Sequence, residues 1–95
     1  MPWVYLLRCR DESLYCGWTT DLDRRLAAHQ RGVASKYTRK RLPVEIAASW
    51  PFDDASDARR EEWRIKQLTR AEKLALVSEA ADAGRTTTPG RPGTA

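Results

Sequence analysis

Two tyrosines, Tyr5 and Tyr15, stand ten residues apart, and each sits inside a short run of aromatic and apolar residues. Gly17 follows the second, Arg25 falls eight residues after Gly17, and His29, the chain's one histidine, lies four residues after Arg25. Phenol, guanidinium and imidazole are packed into the first third of the chain. That is more polar chemistry than a 95-residue domain needs for folding, and it points to a small enzyme site for phosphodiesters.

The charge distribution agrees. The net charge is +4 and the isoelectric point about 9.4, but the bias is concentrated. Between Asp21 and Arg41 seven cations (Arg24, Arg25, Arg31, Lys36, Arg39, Lys40, Arg41) face two aspartates, with Tyr37 interleaved. A basic, aromatic-containing stretch of this kind suits a polyanion, and nucleic acid is the first candidate. A solvated basic face is the structural alternative.

The elements that must position these groups follow from pattern. Residues 3–9 and 13–18 read as two strands of an antiparallel hairpin around Arg10-Asp11-Glu12. Successive side chains on a strand alternate faces, so a loop with an odd residue count puts Tyr5 and Tyr15 on one side of the sheet. A two-residue turn would separate them. Thr20 or Asp21 can cap a helix running to about Arg31, with Leu22 and Leu26 as its apolar seam and Gly32 as its stop. Arg25 and His29, one turn apart, share a face beside that seam. Residues 33–43 read as irregular and basic, and Pro43 precedes a third strand from Val44 to Trp50. Asp53, Asp54 and Ser56 open a second helix with the stripe Ala55, Ala58, Ile65, Leu68, which Glu61 and Glu62 flank. A third helix is expected from Ala71 to about Ala83, carrying Leu74, Leu76 and Val77, with Gly84 ending it. The order β-β-α-β-α-α gives an α+β domain over residues 1–83, a small three-stranded antiparallel sheet flanked by helices. The Thr/Pro/Gly-rich residues 84–95 have nothing to bury and read as a disordered tail.

Composition narrows the class. A hydrophobic content of 41% supports one small core. No apolar run is long enough to span a membrane, and the first residues lack the pattern of a signal peptide. Cys9 and Cys16 are too few for a disulfide framework and lack metal-motif spacing, so a reducing cytoplasm is the expected location.

These residues carry a resemblance. The chain resembles the GIY-YIG nuclease domain, most closely its small stand-alone, UPF0213-like branch. The first signature stands here as Trp3-Val4-Tyr5 and the second as Tyr15-Cys16-Gly17. The helix pattern is Thr19-Thr20-Asp21-Leu22-x-Arg24-Arg25-Leu26-x-x-His29-x-x-Gly32. Lys36-Tyr37-Thr38-Arg39 and Arg41-Leu42-Pro43-Val44-Glu45 follow, then Glu62-x-x-Ile65-Lys66-x-Leu68-Thr69-Arg70-x-x-Lys73. The blocks occur in order over residues 3 to 77. Trp3, Val4 and Cys16 replace the usual glycine and isoleucines with other strand-compatible residues, and both tyrosines and Gly17 remain.

The resemblance implies a divalent-metal-dependent endonuclease, using magnesium or manganese on DNA. Branched, flapped and single-stranded forms are its candidate substrates, and repair or recombination its setting. Tyr5, Tyr15, Arg25, His29 and Glu62 are the implied catalytic set, with Glu62 also the metal ligand. A lone carboxylate oxygen suits a hard cation that keeps most of its waters, and Arg25 would hold a phosphate oxygen. One tyrosine would help deprotonate the attacking water, Tyr5 and Tyr15 being equal candidates, and His29 would position or shuttle a proton at near-neutral pKa. Glu61 competes with Glu62 and is disfavoured because Trp63, Ile65 and Lys66 follow Glu62 as in the small branch. Gly17, Thr19, Lys36, Tyr37, Arg39, Lys40, Arg41 and Lys66 are the implied nucleic-acid contacts. A monomer suffices, with a protein partner as one route to substrate choice. The structural alternatives are cross-strand packing for the tyrosines, an ion pair with Lys66 for Glu62, and core or edge packing for Trp18, Trp50 and Trp63. A nucleic-acid-binding module with weak or lost catalysis is the main functional alternative, and a protein-interaction module a third.

Overall fold

A computed structural model describes residues 1–86 of the chain. Its elements are β1 (Trp3–Arg8), β2 (Leu14–Thr19), α1 (Leu22–Gln30), α2 (Lys36–Arg39), β3 (Glu45–Pro51), α3 (Ala55–Lys66) and α4 (Arg70–Thr86). The sheet is antiparallel in the order β2-β1-β3, so the first strand of the chain is the central one. Arg8 pairs with Leu14, leaving the odd-length loop 9–13, and Tyr5 lies opposite Gly17 while Leu7 lies opposite Tyr15. Both tyrosines therefore share one face of the sheet.

Local chemistry sets the helix ends. Asp21 caps α1 by accepting from the Arg24 N–H at 3.0 Å. At the other end Gly32 adopts φ +79°, its N–H reaching the His29 carbonyl while the Val33 N–H reaches that of Ala28. This paired closure is open to glycine because it has no Cβ. Asp54 caps α3. At the start of α4, Thr69 Oγ1 accepts from the Glu72 N–H while Glu72 returns a carboxylate to the Thr69 N–H.

Alternation then sorts the core. Val4, Leu6, Leu14 and Cys16 pack against Ala58 and Ile65 on one face, with Trp18, Trp50, Leu68, Leu74, Leu76 and Val77 closing over them. On the other face Tyr5, Leu7, Cys9 and Val44 pack with Tyr15, Leu22, Leu26, Leu42 and Ile46. Helices α3 and α4 thus cover one side and α1 with α2 the other, around one small sheet.

The segment expected to be irregular contains a short helix, α2, whose N-cap Ser35 accepts from the backbone N–H groups of Tyr37 and Thr38. Gly84 does not end the last helix, which runs to Thr86. Most of the expected 84–95 tail lies outside the described residues. Trp63 does not pack as expected: it is 66% exposed, whereas Trp18 and Trp50 are partly buried against the core. Among the described residues no helix is long and apolar enough to cross a membrane. Cys9 and Cys16 are buried free thiols.

Candidate active site

Because β2 is an edge strand, helices on both faces of the sheet reach past it to a common cleft. That cleft, of about 340 Å3, is lined by Tyr5, Tyr15, Gly17, Thr19, Arg25 and Glu62, together with Trp18 and Thr20. Arg25 arrives from α1 on the tyrosine face, and Glu62 from α3 on the apolar face. Residues 57 positions apart in sequence, Tyr5 and Glu62, thereby meet at one polar opening.

Gly17 leaves room that the site uses. A Cβ at this position would lie 2.5 Å from Tyr5 Oη and 2.7 Å from Tyr5 Cζ. The phenol of the central strand therefore lies across the gap where a β2 side chain would stand. Tyr5 is only 2% exposed, yet its hydroxyl end borders the cleft.

Behind Tyr5 runs a buried polar chain. Tyr5 Oη lies 2.8 Å from His29 Nε2. His29 Nδ1 lies 2.8 Å from Thr38 Oγ1, and Thr38 Oγ1 lies 3.4 Å from the Ser35 carbonyl. The imidazole is 1% exposed and the Thr38 side chain fully buried. His29 also meets the edges of both Tyr5 and Tyr15, with ring centroids 5.7 and 5.3 Å away. Burial pushes the His29 pKa below its ordinary value, and the neighbouring Arg25 charge adds to that. The ring is therefore neutral at physiological pH, and the near-neutral titration expected from the sequence is displaced downward. Burial, reinforced by Tyr15, drives the Tyr5 phenol well above its ordinary value despite the opposing pull of Arg25.

The two glutamates separate cleanly. The Arg64 guanidinium grips Glu61, and that hydrogen bond holds its carboxyl below the usual value. Glu61 is not among the residues lining the cleft, whereas Glu62 is. Glu62 Oε2 carries the Lys66 ammonium at 3.1 Å, so the ion pair weighed as an alternative role is present together with the position at the cleft. Among the described residues no three His, Cys, Asp or Glu side chains cluster as a metal cage. A single carboxylate facing an open polar cleft fits a cation such as Mg2+, which takes one or two carboxylates and completes its shell with water and phosphate.

The basic segment divides in the same way. Tyr37 stacks on Tyr15, centroids 5.7 Å apart at 29°. Arg41 lies 3.8 Å over the Tyr37 ring while bonding Asp11 and the Tyr37 carbonyl. Its guanidinium braces the Tyr15–Tyr37 pair rather than standing free. Lys36 and Arg39 line a separate shallow cleft with Gly32 and Ser35, and Lys40 is exposed on the surface. Thr19 bonds the Asp21 backbone and shapes the turn into α1. A second cleft of about 310 Å3, sharing Thr19, Thr20 and Arg25 with the first, adds Arg24, which the sequence offered as one charge among seven and as part of the helix pattern, not as a site residue. Ser35 and Thr38 were not foreseen in the site. Thr38 stands in the block Lys36-Tyr37-Thr38-Arg39, but nothing in that block marks it as a partner of His29, a role that arises from the fold bringing α2 against the ring.

The family model described as the GIY-YIG catalytic domain matches residues 1–75. A UPF0213 protein of Lactococcus lactis is 51% identical over 75 residues, 78% of this chain and 72% of its own. A UPF0213 protein of Halobacterium salinarum is 50% identical over 76 residues, 80% of this chain and 99% of its own. The solution NMR structure of a UPF0213 protein from Bacillus halodurans superposes with a TM-score of 0.57 at 41% identity, covering 96% of this chain and 99% of that one.

Proposed function

This chain belongs to the GIY-YIG catalytic-domain family, whose members are endonucleases, and we propose that it is a divalent-metal-dependent endonuclease acting on DNA, with branched, flapped or single-stranded forms as its substrates and repair or recombination as its setting. The observation that carries this reading is the convergence of Tyr5, Tyr15, Arg25 and Glu62 on one cleft, with His29 bonded behind Tyr5.

Each group has a task its chemistry suits. Arg25 presents a guanidinium fork to a non-bridging phosphate oxygen. Glu62 would hold a magnesium or manganese ion, which when bound supplies charge neutralisation at the scissile phosphate. Lys66 then either leaves the carboxylate or turns to a neighbouring phosphate. Tyr5 is the better placed base of the two tyrosines. A phenol with a raised pKa accepts a proton only if it gives one up in the same step, and His29 Nε2 lies at hydrogen-bond distance to receive it. The attacking water loses a proton to Tyr5 Oη as the original phenolic proton passes to His29 Nε2, so the phenol is regenerated and an imidazolium forms. Tyr15, edge-on to His29 and stacked on Tyr37, is proposed to hold the ring geometry and to offer its hydroxyl to the cleft. Lys36, Arg39 and Lys40 are proposed as backbone contacts that add affinity without sequence preference.

Cleavage of a labelled DNA panel of single strand, duplex, flap and four-way junction, with magnesium, manganese or chelator, tests the proposal. Metal-dependent cutting is expected from the native chain and not from Glu62→Ala or Arg25→Ala. Full cutting by a normally folded Glu62→Ala would remove Glu62 from the reaction. The Lys66–Glu62 ion pair favours a second reading, a binding module with weak or lost catalysis. Salt-sensitive binding without turnover in any metal would select it.

A further inference from the structure

We propose that Thr38 is a positioning residue that fixes His29 in the tautomer protonated at Nδ1, leaving Nε2 bare to accept the Tyr5 hydroxyl. Thr38 is fully buried on α2, and its hydroxyl has one proton to give. The Ser35 carbonyl, which also holds the Arg39 N–H at 3.1 Å, can only accept, and Thr38 Oγ1 lies 3.4 Å from it on the preceding turn. A hydroxyl donating there turns a lone pair toward His29, whereas one donating to a bare Nδ1 would leave the ring proton on Nε2. In the first arrangement, the one we assign, His29 Nδ1 at 2.8 Å is the donor. A neutral imidazole carries one N–H, so Nε2 has none and the contact at 2.8 Å is donated by Tyr5.

Among the described residues Thr38 is the hydrogen-bond partner of Nδ1. Tyr5 on β1 and Tyr15 on β2 present ring edges, and Arg25 on the same helix is the nearby charge. No carboxylate is among these neighbours, so a hydroxyl does what an aspartate does in many buried histidines. The difference has a chemical consequence. A carboxylate would favour the imidazolium, whereas a hydroxyl orients the ring and leaves it neutral, ready to receive a proton. The short helix α2 carries that hydroxyl to the ring, and the carbonyl of its N-cap Ser35 lies 3.4 Å from it.

The effect on rate rests on the nuclease reading, while the tautomer does not. The chain holds a single histidine, so a long-range proton–nitrogen spectrum of 15N-labelled protein shows one imidazole and needs no assignment. The native chain and Thr38→Ser are expected to show a pyrrole-type Nδ1 and a pyridine-type Nε2, and Thr38→Val to lose that pattern. In cleavage, Thr38→Val is expected to lower kcat about 10–100-fold with little change in KM, as loss of a partner behind a working histidine does. Thr38→Ser is expected to restore most of it. A native spectrum with the proton on Nε2 would overturn the inference, as would unchanged tautomer or unchanged kcat in Thr38→Val. If that variant fails to fold, the native and Thr38→Ser spectra still decide the tautomer. An Nδ1-protonated ring in a native chain that cuts nothing would sink the nuclease reading and leave the tautomer standing.

Discussion

On one face of the sheet Val4, Leu6, Leu14 and Cys16 meet Ala58 and Ile65 with no polar side chain buried among them. On the other, Tyr5 and Leu7 share their space with His29 and Thr38, two of the three polar side chains that are buried among the described residues. The same three strands supply both faces, and only residue parity separates them. The apolar face gains stability from each methylene it hides. The polar face accepts a hydrogen-bond chain whose members each need a partner, because an unpaired buried donor costs about 1–3 kcal/mol. The apolar side carries packing and the polar side the buried hydrogen-bond chain, with Glu62 alone reaching the cleft from the apolar side, and changes in the two cores should fail differently.

The largest effect is expected on the apolar side. Leu6→Ala should cost about 2–5 kcal/mol of folding stability, read as a lower urea midpoint, while the molecules that remain folded keep their cleavage rate. A matching loss of rate per folded molecule would show that the two faces are not independent. Arg25→Ala should do the reverse: cleavage down about 10²–10³-fold, as for loss of one preorganised phosphate-directed donor, with the midpoint nearly unmoved. Arg25 is exposed and forms no ion pair among the described residues, so a large stability loss would assign it to the fold instead.

Gly17→Ala sits where the two sides meet and should damage both. Its Cβ would press on Tyr5 Oη and Cζ, costing about 1–3 kcal/mol and displacing the phenol from His29. Unchanged stability and rate would mean that the close approach has no role. The smallest effect concerns pH. The His29 pKa is lowered from 6.5 in the folded chain, so below 6.5 the unfolded chain takes up a proton that the native state refuses. Stability from this source is complete above about pH 6.5 and is lost as pH falls from there to the folded pKa. Thermal melts between pH 7 and 5 should show that decline in the native chain and a flatter profile in His29→Phe. Equal slopes would argue against a neutral buried ring. Cleavage should fall on the same acid side, since a protonated Nε2 accepts nothing.

The apolar side was the more legible from sequence. Alternation in 3–9 and 13–18, the capping aspartates and Gly32 carry their signals locally, and the helix ends at Asp21, Asp54 and Gly32 agree with them. The polar side was legible as residue types but not as partners. Four residues cannot announce a helix, because nucleation is costly and α2 owes its existence to Ser35 and to packing against His29. Thr38 thus looked like one polar residue in a basic loop. Arg41 was counted as a free cation because its partner, Asp11, lies 30 residues away on the hairpin loop. Glu61 and Glu62 share a helix edge, and what distinguishes them is Arg64 against one and the β2 edge beside the other. Trp63 was grouped with packing tryptophans because burial is the usual fate of that side chain, yet its place on α3 faces solvent.

The sheet order β2-β1-β3 also sets a schedule during synthesis. The strand made first is the one that needs neighbours on both sides, and its second neighbour ends at Pro51, 32 residues after Thr19 completes the hairpin. At about 5–20 residues per second the hairpin waits roughly 2–6 s with one edge open. Glu62 emerges later still, after both tyrosines, Arg25 and His29. A nascent chain therefore assembles the groups proposed to grip a phosphate before it gains the carboxylate proposed to arm them, and the proposed site would be complete only when most of the domain has been made.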